Sequence, residues 1–389
     1  MTNKGSPPSL NRARSPSTGS RVPCKSIVTV IVFGALIYLI NMEERSFLKL
    51  NEPTELPSQM ITLPKARYDT QNTKQLFALD ESNEFIPGIA WLMSYPKSGT
   101  SYTMTMVAWA TNKSFATNYG DEALAKGERE SLSIYPRRLE GPYWPGMGGT
   151  HEWQTRPLPD TYVITNTHCS AFCLDCGPRE YVVTPSTFLK KCASGHARIP
   201  PARRRIDVRY DPSRVMKAIH LIRNPMHNII ARYRLDHKVH VYTNDKKWLK
   251  KHPNDAKGLH AYCKDAARKY RRQDERFFGK GKVPKAPCYG EFFKYTQWHN
   301  LVHEGLDLIE HDVPVLTVYY EDYADKLNET TTQIFDFLEL DQVLELKEFE
   351  ELTEYADYFS DVELREIKNL VKRVASKKTW SQLQHYFDF

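Results

Sequence analysis

Ile89-Ala90-Trp91-Leu92-Met93-Ser94 runs directly into Tyr95-Pro96-Lys97-Ser98-Gly99-Thr100-Ser101-Tyr102. The first six residues form a short apolar run of the kind that becomes a buried strand. A helical pattern follows through Met104, Met106, Val107 and Trp109. A strand, a turn of small residues and a helix start together make a site for phosphate. Amides from Ser98 to Ser101 are expected to face the anion, and the helix dipole adds to them. Lys97 brings a point charge, and Thr100 and Ser101 bring hydroxyl donors. The loop is not a Walker A loop, which reads Gly-x4-Gly-Lys-Ser/Thr. Here the lysine precedes the glycine and the leading glycine is missing. The bland alternative is a tight turn with an incidental lysine, and the strand before it and the helix after it weigh against that.

Three more stretches follow the same strand-then-helix logic. Residues 160–168 (DTYVITNTH) read as a second buried strand with a polar tip at His168. Residues 217–233 (KAIHLIRNPMHNIIARY) read as a strand ending near Arg223, then a helix with Pro225 in its first turn, where a missing N–H does no harm. Residues 313–323 (VPVLTVYYEDY) give a late strand, followed by a helical pattern over 331–340 and a closing amphipathic helix over 361–375.

The loop at 95–102 resembles the 5′-phosphosulfate loop of the sulfotransferases, close to Tyr-Pro-Lys-Ser-Gly-Thr-Thr-Trp. The later stretches resemble that family's other signatures in the same order, so the resemblance spans about residues 88–389. It implies an α/β, three-layer P-loop-type fold with a central parallel sheet flanked by helices. It also implies transfer of a sulfuryl group from 3′-phosphoadenosine 5′-phosphosulfate to a hydroxyl or amine of an acceptor. Lys97, Ser98, Gly99, Thr100, Ser101 and Tyr102 fall on the loop that holds the 5′-phosphate, and Lys97 would stabilise the leaving phosphate. Thr167 and His168 fall on the strand end that supplies the family's catalytic base, although Asn166 stands where the soluble members have lysine. Arg223 falls on the 3′-phosphate arginine. The family's serine eight residues later is Ala231 here, so Arg232 is an alternative source of that contact. The soluble members' carboxy-terminal Arg-Lys-Gly-x-x-Gly loop is absent, with Lys377-Lys378 or Arg203-Arg204-Arg205 as candidate substitutes. No metal is implied. A P-loop kinase using ATP and Mg²⁺ is one alternative; a non-catalytic, membrane-tethered binding protein of the same fold is another.

The composition suits such a domain. Of 389 residues, 41% are hydrophobic and 26% charged, which excludes wholesale disorder and leaves enough chain for a sizeable core. The net charge of +7 is uneven: residues 1–42 hold Lys4, Arg12, Arg14, Arg21 and Lys25 and no acid. The remainder is nearly neutral, so composition gives no reason to expect a nucleic-acid partner. Residues 1–26 read as a basic cytoplasmic tail. The apolar run 27–40 (IVTVIVFGALIYLI) defines a signal anchor over 27–42, and 43–87 is a proline-bearing stem. The run is short for a full span, and no Ala-x-Ala-like cleavage site follows it. Basic residues on its amino side place the catalytic domain, 88–389, in the lumen. A single-pass type II protein of the Golgi membrane is therefore expected. Six cysteines (Cys169, Cys173, Cys176, Cys192, Cys263, Cys288) would then be lumenal and able to form up to three disulfides in any of fifteen pairings. The spacing Cys169-x3-Cys173-x2-Cys176 also matches an iron–sulfur ligand set, a reading that needs a reducing compartment. Asn112 and Asn328 head glycosylation sequons. By fold-level analogy the acceptor is a carbohydrate, and the insert 120–160, with Trp144 and Trp153, is a candidate acceptor loop.

Overall fold

In a computed structural model of the chain, residues 87–119, 131–134, 143–144, 156–169, 183–199, 204–349 and 358–388 are described. The expected tail, anchor and all but the last residue of the stem lie outside these, as do Trp153, Arg203, Cys173 and Cys176. Among the described residues no helix is long and apolar enough to cross a membrane.

The apolar run that opens the domain is β1 (Gly88–Ser94), buried along its length. Its neighbours are β5 (Tyr162–Thr167) and β8 (Val215–Ile222), both parallel to it. The sheet extends through β9 (Val315–Tyr319) on one side. On the other it extends through β2 (Phe115–Thr117), β3 (Ser131–Ile134) and β4 (Tyr143–Trp144). Its order is β4-β3-β2-β5-β1-β8-β9, parallel throughout except for β3–β4. A separate antiparallel ribbon pairs β6 (Ser194–Ile199) with β7 (Arg204–Arg209).

Parallel strands need crossovers, and helices supply them. α1 (Thr100–Thr111) follows β1, α2 (Pro185–Cys192) precedes the ribbon, and α3 (Pro225–Tyr242) follows β8. α4 (Lys246–Lys251), α5 (Ala256–Phe278) and α6 (Tyr289–Leu306) separate β8 from β9. α7 (Asp322–Asp325), α8 (Leu327–Leu338), α9 (Asp361–Val374) and α10 (Lys377–Leu383) complete the chain. The period-2 alternation of β1 splits its side chains between two cores. Ile89, Trp91 and Met93 pack with residues of α2, α3, α6 and α9, while Ala90 and Leu92 pack with residues of α1 and α8. The result is an α/β fold with helices on both faces of a parallel sheet, as expected from sequence.

The elements carry the start signals their sequences encode. The Asn224 side chain accepts from the Met226 and His227 amides, with Pro225 in the first turn of α3. Asp255 accepts from the Gly258 amide at the start of α5. Ser360 and Glu363 form a capping box on α9.

Two disulfides lie among the described residues, Cys169–Cys192 and Cys263–Cys288. Cys169 is therefore committed to a partner outside the Cys169/Cys173/Cys176 cluster, which removes it from any iron–sulfur ligand set. Cys263–Cys288 closes a loop with a sequence separation of 25 between α5 and the residue that starts α6. Replacing both residues by serine is expected to lower the unfolding free energy by about 3 kcal/mol, read by urea denaturation of the oxidised protein.

Candidate active site

The turn between β1 and α1 is built by conformations that few sequences tolerate. Lys97 has φ 70° and Gly99 φ 105°. A β-carbon on Gly99 would fall 2.1 Å from the Tyr320 ring, so both the backbone angle and the space demand glycine. The Ser98 amide donates to the Tyr95 carbonyl at 3.1 Å and closes the turn. Ser98 therefore gives its amide to the loop, and the N–H groups left to face an anion are those at the start of α1.

The junction after β8 and the first turn of α3 hold this loop from the side. The Arg223 Nη1 donates to the Lys97 carbonyl at 2.8 Å. The Asn228 amide donates to both the Pro96 carbonyl and the Ser98 Oγ, each at 3.0 Å. The Arg223 guanidinium also lies 4.7 Å from the centre of the Tyr320 ring, and its Nε is buried with no hydrogen-bond partner among the described residues. A buried guanidinium N–H without a partner is costly unless a ligand acceptor completes it. That vacant donor, beside the N-terminus of α1, fits an anionic group of a nucleotide.

His168 sits at the end of β5, one strand over. Its Nδ1 lies 2.7 Å from the Ser94 carbonyl, which can only accept, so Nδ1 carries the proton and Nε2 the lone pair. The backbone around it is fixed as well. The His168 N–H donates to the Tyr119 hydroxyl at 2.7 Å, Trp298 Nε1 donates to the His168 carbonyl at 2.9 Å, and the ring stacks on Tyr119. Cys169, the next residue, is bonded to Cys192. The Ser94 hydroxyl links the two halves of the site, 2.5 Å from Thr100 Oγ1 and 3.2 Å from His168 Nδ1. The Thr100 hydroxyl is thus engaged within the protein, while Ser101 is exposed. The Tyr102 ring is held in an aromatic group with Tyr323 and Phe349 at 4.9 and 4.7 Å.

Cations dominate the electrostatics. Burial and then the positive charges of Arg232 and Lys97 drive the His168 pKa down to about 4, against the pull of its bond to Ser94. Lys97 reaches solvent, yet partial desolvation followed by the charges of Lys238, Arg223 and Arg232 lowers its pKa below the ordinary lysine value. Arg232, the alternative to the missing serine contact, is buried. It pairs with Glu291 at 3.6 Å and lies 4.8 Å from the centre of the Tyr95 ring beneath the loop. Of the candidate substitutes for the missing carboxy-terminal loop, Arg204 and Arg205 lie on the β6–β7 ribbon and Lys377-Lys378 start α10. Among the described residues no group of acidic, histidine or cysteine side chains is arranged to hold a metal.

Several residues here carry no motif of their own. Asn228 is the loop's second clamp, and its only sequence signal is its place three residues after Pro225 in a strand–helix junction. Ser94, Tyr119 and Trp298 are ordinary in sequence and meet only in the fold. Glu321, within the late Tyr-Glu-Asp, accepts from the Asn224 amide at 2.9 Å and from the Tyr386 hydroxyl at 2.6 Å, tying α3 to the carboxy terminus.

A parallel α/β sheet with a phosphate-loop-like turn after its central strand, cations around that turn and a strand-end histidine is the framework of a group-transfer enzyme. The family comparison names the group. A model described as a sulfotransferase domain matches residues 87–386, and the chain belongs to the sulfotransferase family. A comparison with curated proteins finds no match.

Gly99→Ala is expected to destabilise the fold by about 1–3 kcal/mol, because it forces an alanine into the left-handed region against Tyr320. Thermal unfolding reads the difference, and a variant as stable as wild type would show that the turn tolerates a side chain.

Proposed function

We propose that this sulfotransferase takes its sulfuryl group from 3′-phosphoadenosine 5′-phosphosulfate and delivers it to a hydroxyl of a carbohydrate acceptor, with His168 as base. The observation that carries this reading is the Nδ1–H bond from His168 to Ser94 beside the clamped loop. It leaves Nε2 basic at the end of the strand next to the phosphate turn.

The donor supplies a sulfur that accepts a nucleophile and a phosphate that can leave. His168 Nε2 takes the acceptor proton as the acceptor oxygen bonds to sulfur. The bond from sulfur to the bridging oxygen breaks, and Lys97 stabilises the charge that gathers on that oxygen. Nothing covalent is asked of the protein, so the chain contributes orientation and charge. The amides of Gly99, Thr100, Ser101 and Tyr102 hold the 5′-phosphate against the dipole of α1. Arg223 offers its vacant Nε to the 3′-phosphate. A His168 pKa near 4 leaves the ring unprotonated, and so able to accept a proton, at every physiological pH.

The placement proposed is a type II Golgi protein, with 27–42 as anchor, 43–87 as stem and the domain 88–389 in the lumen. Two disulfides among the described cysteines fit an oxidising compartment. Asn112 and Asn328 are exposed, as glycosylation there would require.

With labelled donor, Lys97→Ala should lower kcat by about 10²–10³-fold, the loss typical of one transition-state charge partner. His168→Ala should lower it by about 10²–10⁴-fold. Both variants should stay folded and should keep most of their affinity for 3′-phosphoadenosine 5′-phosphate. Wild-type turnover in either variant would remove the assigned role, and no transfer by wild type to any acceptor would favour a non-catalytic binding protein. The sign of the pH dependence follows from the lowered pKa. Protonated His168 cannot accept a proton, so kcat/KM, which reports the free enzyme, should hold on a plateau well below pH 6.5 and fall only as pH approaches about 4. A pH–rate profile that breaks near 6.5 would contradict it.

A further inference from the structure

His168 follows the last residue of β5, and the residues on either side of it are fastened to a single residue of another element. Thr167 Oγ1 donates to the Cys192 carbonyl at 2.9 Å, and Cys169 is joined to Cys192 by a disulfide. Cys192 is the last residue of α2, where a backbone carbonyl has no partner within the helix. That carbonyl is filled from the sheet instead, by Thr167 and by the side-chain amide of Asn118, which also donates to it. Thr167, His168, Cys169, Cys192 and Asn118 are all buried, so these bonds are made away from water.

The attachment runs back to the central strand. The Trp91 indole of β1 donates to the Tyr210 hydroxyl at 2.7 Å, and that hydroxyl donates to the Asn118 side-chain carbonyl at 3.0 Å. The chain just past α2 is held as closely. The Tyr210 amide donates to the Ala193 carbonyl at 3.1 Å, and a β-carbon on Gly195 would fall 1.6 Å from the Asn118 carbonyl oxygen. Cys192 is thereby fixed relative to the strand that leads into the phosphate turn. Cys169 needs such a tether. Its φ is 48°, in the left-handed region that costs any residue with a β-carbon. Released, it would relax toward negative φ, and the change in chain direction would strain the bond from Trp298 Nε1 to the His168 carbonyl.

We infer that Cys192 is the positioning residue for His168: by holding Thr167 and Cys169 together it keeps the imidazole aimed for proton transfer, and the Cys169–Cys192 bond sets turnover rather than donor binding. The inference rests on the reading of His168 as the base. The protein carries its own control. Cys263–Cys288 encloses nearly the same length of chain, with a sequence separation of 25 against 23, so the two bonds restrict the unfolded chain to a similar degree. It ties α5 to the start of α6 instead of the strand that leads to His168.

The test uses the full-length, oxidised protein in detergent as wild type, Cys169→Ser/Cys192→Ser, Cys263→Ser/Cys288→Ser and His168→Ala. The two serine pairs should lower the melting temperature by similar amounts and leave the affinity for 3′-phosphoadenosine 5′-phosphate unchanged. Cys169→Ser/Cys192→Ser alone of the two should lower kcat, by about 10–10²-fold, a loss that a displacement of about 1 Å can cause. The pH profile gives a readout that lost stability would not move. Loosening the chain around the imidazole admits water, so the break in kcat/KM should rise from about 4 toward 6.5 in this variant and stay near 4 in the other pair. Thr167→Val keeps the disulfide and removes one bond to the Cys192 carbonyl. It should lower kcat several-fold, and it carries the test if the serine pair does not fold. Equal kcat for the two serine pairs, or wild-type kcat in Thr167→Val, would overturn the inference. Wild-type turnover by His168→Ala would reject the base reading and this inference with it. Lost turnover by His168→Ala beside full turnover by Cys169→Ser/Cys192→Ser would reject this inference alone.

Discussion

The site depends on one contact between elements far apart in sequence, the grip of the start of α3 on the phosphate turn. Arg223 holds the Lys97 carbonyl, and Asn228 holds Pro96 and Ser98. Left alone, a turn with a lysine at φ 70° would relax, since the left-handed region costs any residue with a β-carbon. The contact keeps Lys97 in place and leaves the N-terminus of α1 clear. α3 is itself placed by Asn224, which its own side chain caps and whose amide Glu321 accepts, and Glu321 in turn holds Tyr386 near the carboxy terminus. Loop, crossover helix and last residues thus form one connected support.

The same economy appears at His168. His168 is fixed through its amide, its carbonyl and Nδ1, so that Nε2 is the atom left with basic character. The cations that prepare the pocket for an anionic donor also disfavour imidazolium, and burial adds to them. The positive charge around the turn therefore keeps the imidazole neutral while lowering its affinity for a proton. The buried Arg232 contributes to that charge while paired to Glu291, which gives it a role different from that of the hydroxyl missing at Ala231.

Much of this was legible in the chain. The run 89–102 announced strand, turn and helix, although its unbroken apolar residues 89–93 do not show which side chain faces which core. The strands and helices around His168, Arg223 and the late Tyr-Glu-Asp lie where periodicity placed them, within a few residues. Asn228, Ser94, Tyr119 and Trp298 were not legible, because each acts through a partner 49 to 130 residues away. The charge balance is only partly a matter of folding. The excess of fifteen lysines and arginines over five acids within 238–285 is countable along the chain. The fold adds that these cations are exposed while four of the acids serve caps and ion pairs.

The sequence by itself determined the α/β class, the anion-binding turn and the candidate pair Lys97 and His168, because these depend on local residue types and on periodicities of two and 3.6. Only the tertiary structure decided which nitrogen of His168 keeps a proton, that Ser98 gives its amide to the turn, and that Cys169 pairs with Cys192. Hydrogen bonds, disulfides and electrostatic fields act across space, and the separations that govern them exist only once the strands have been brought side by side.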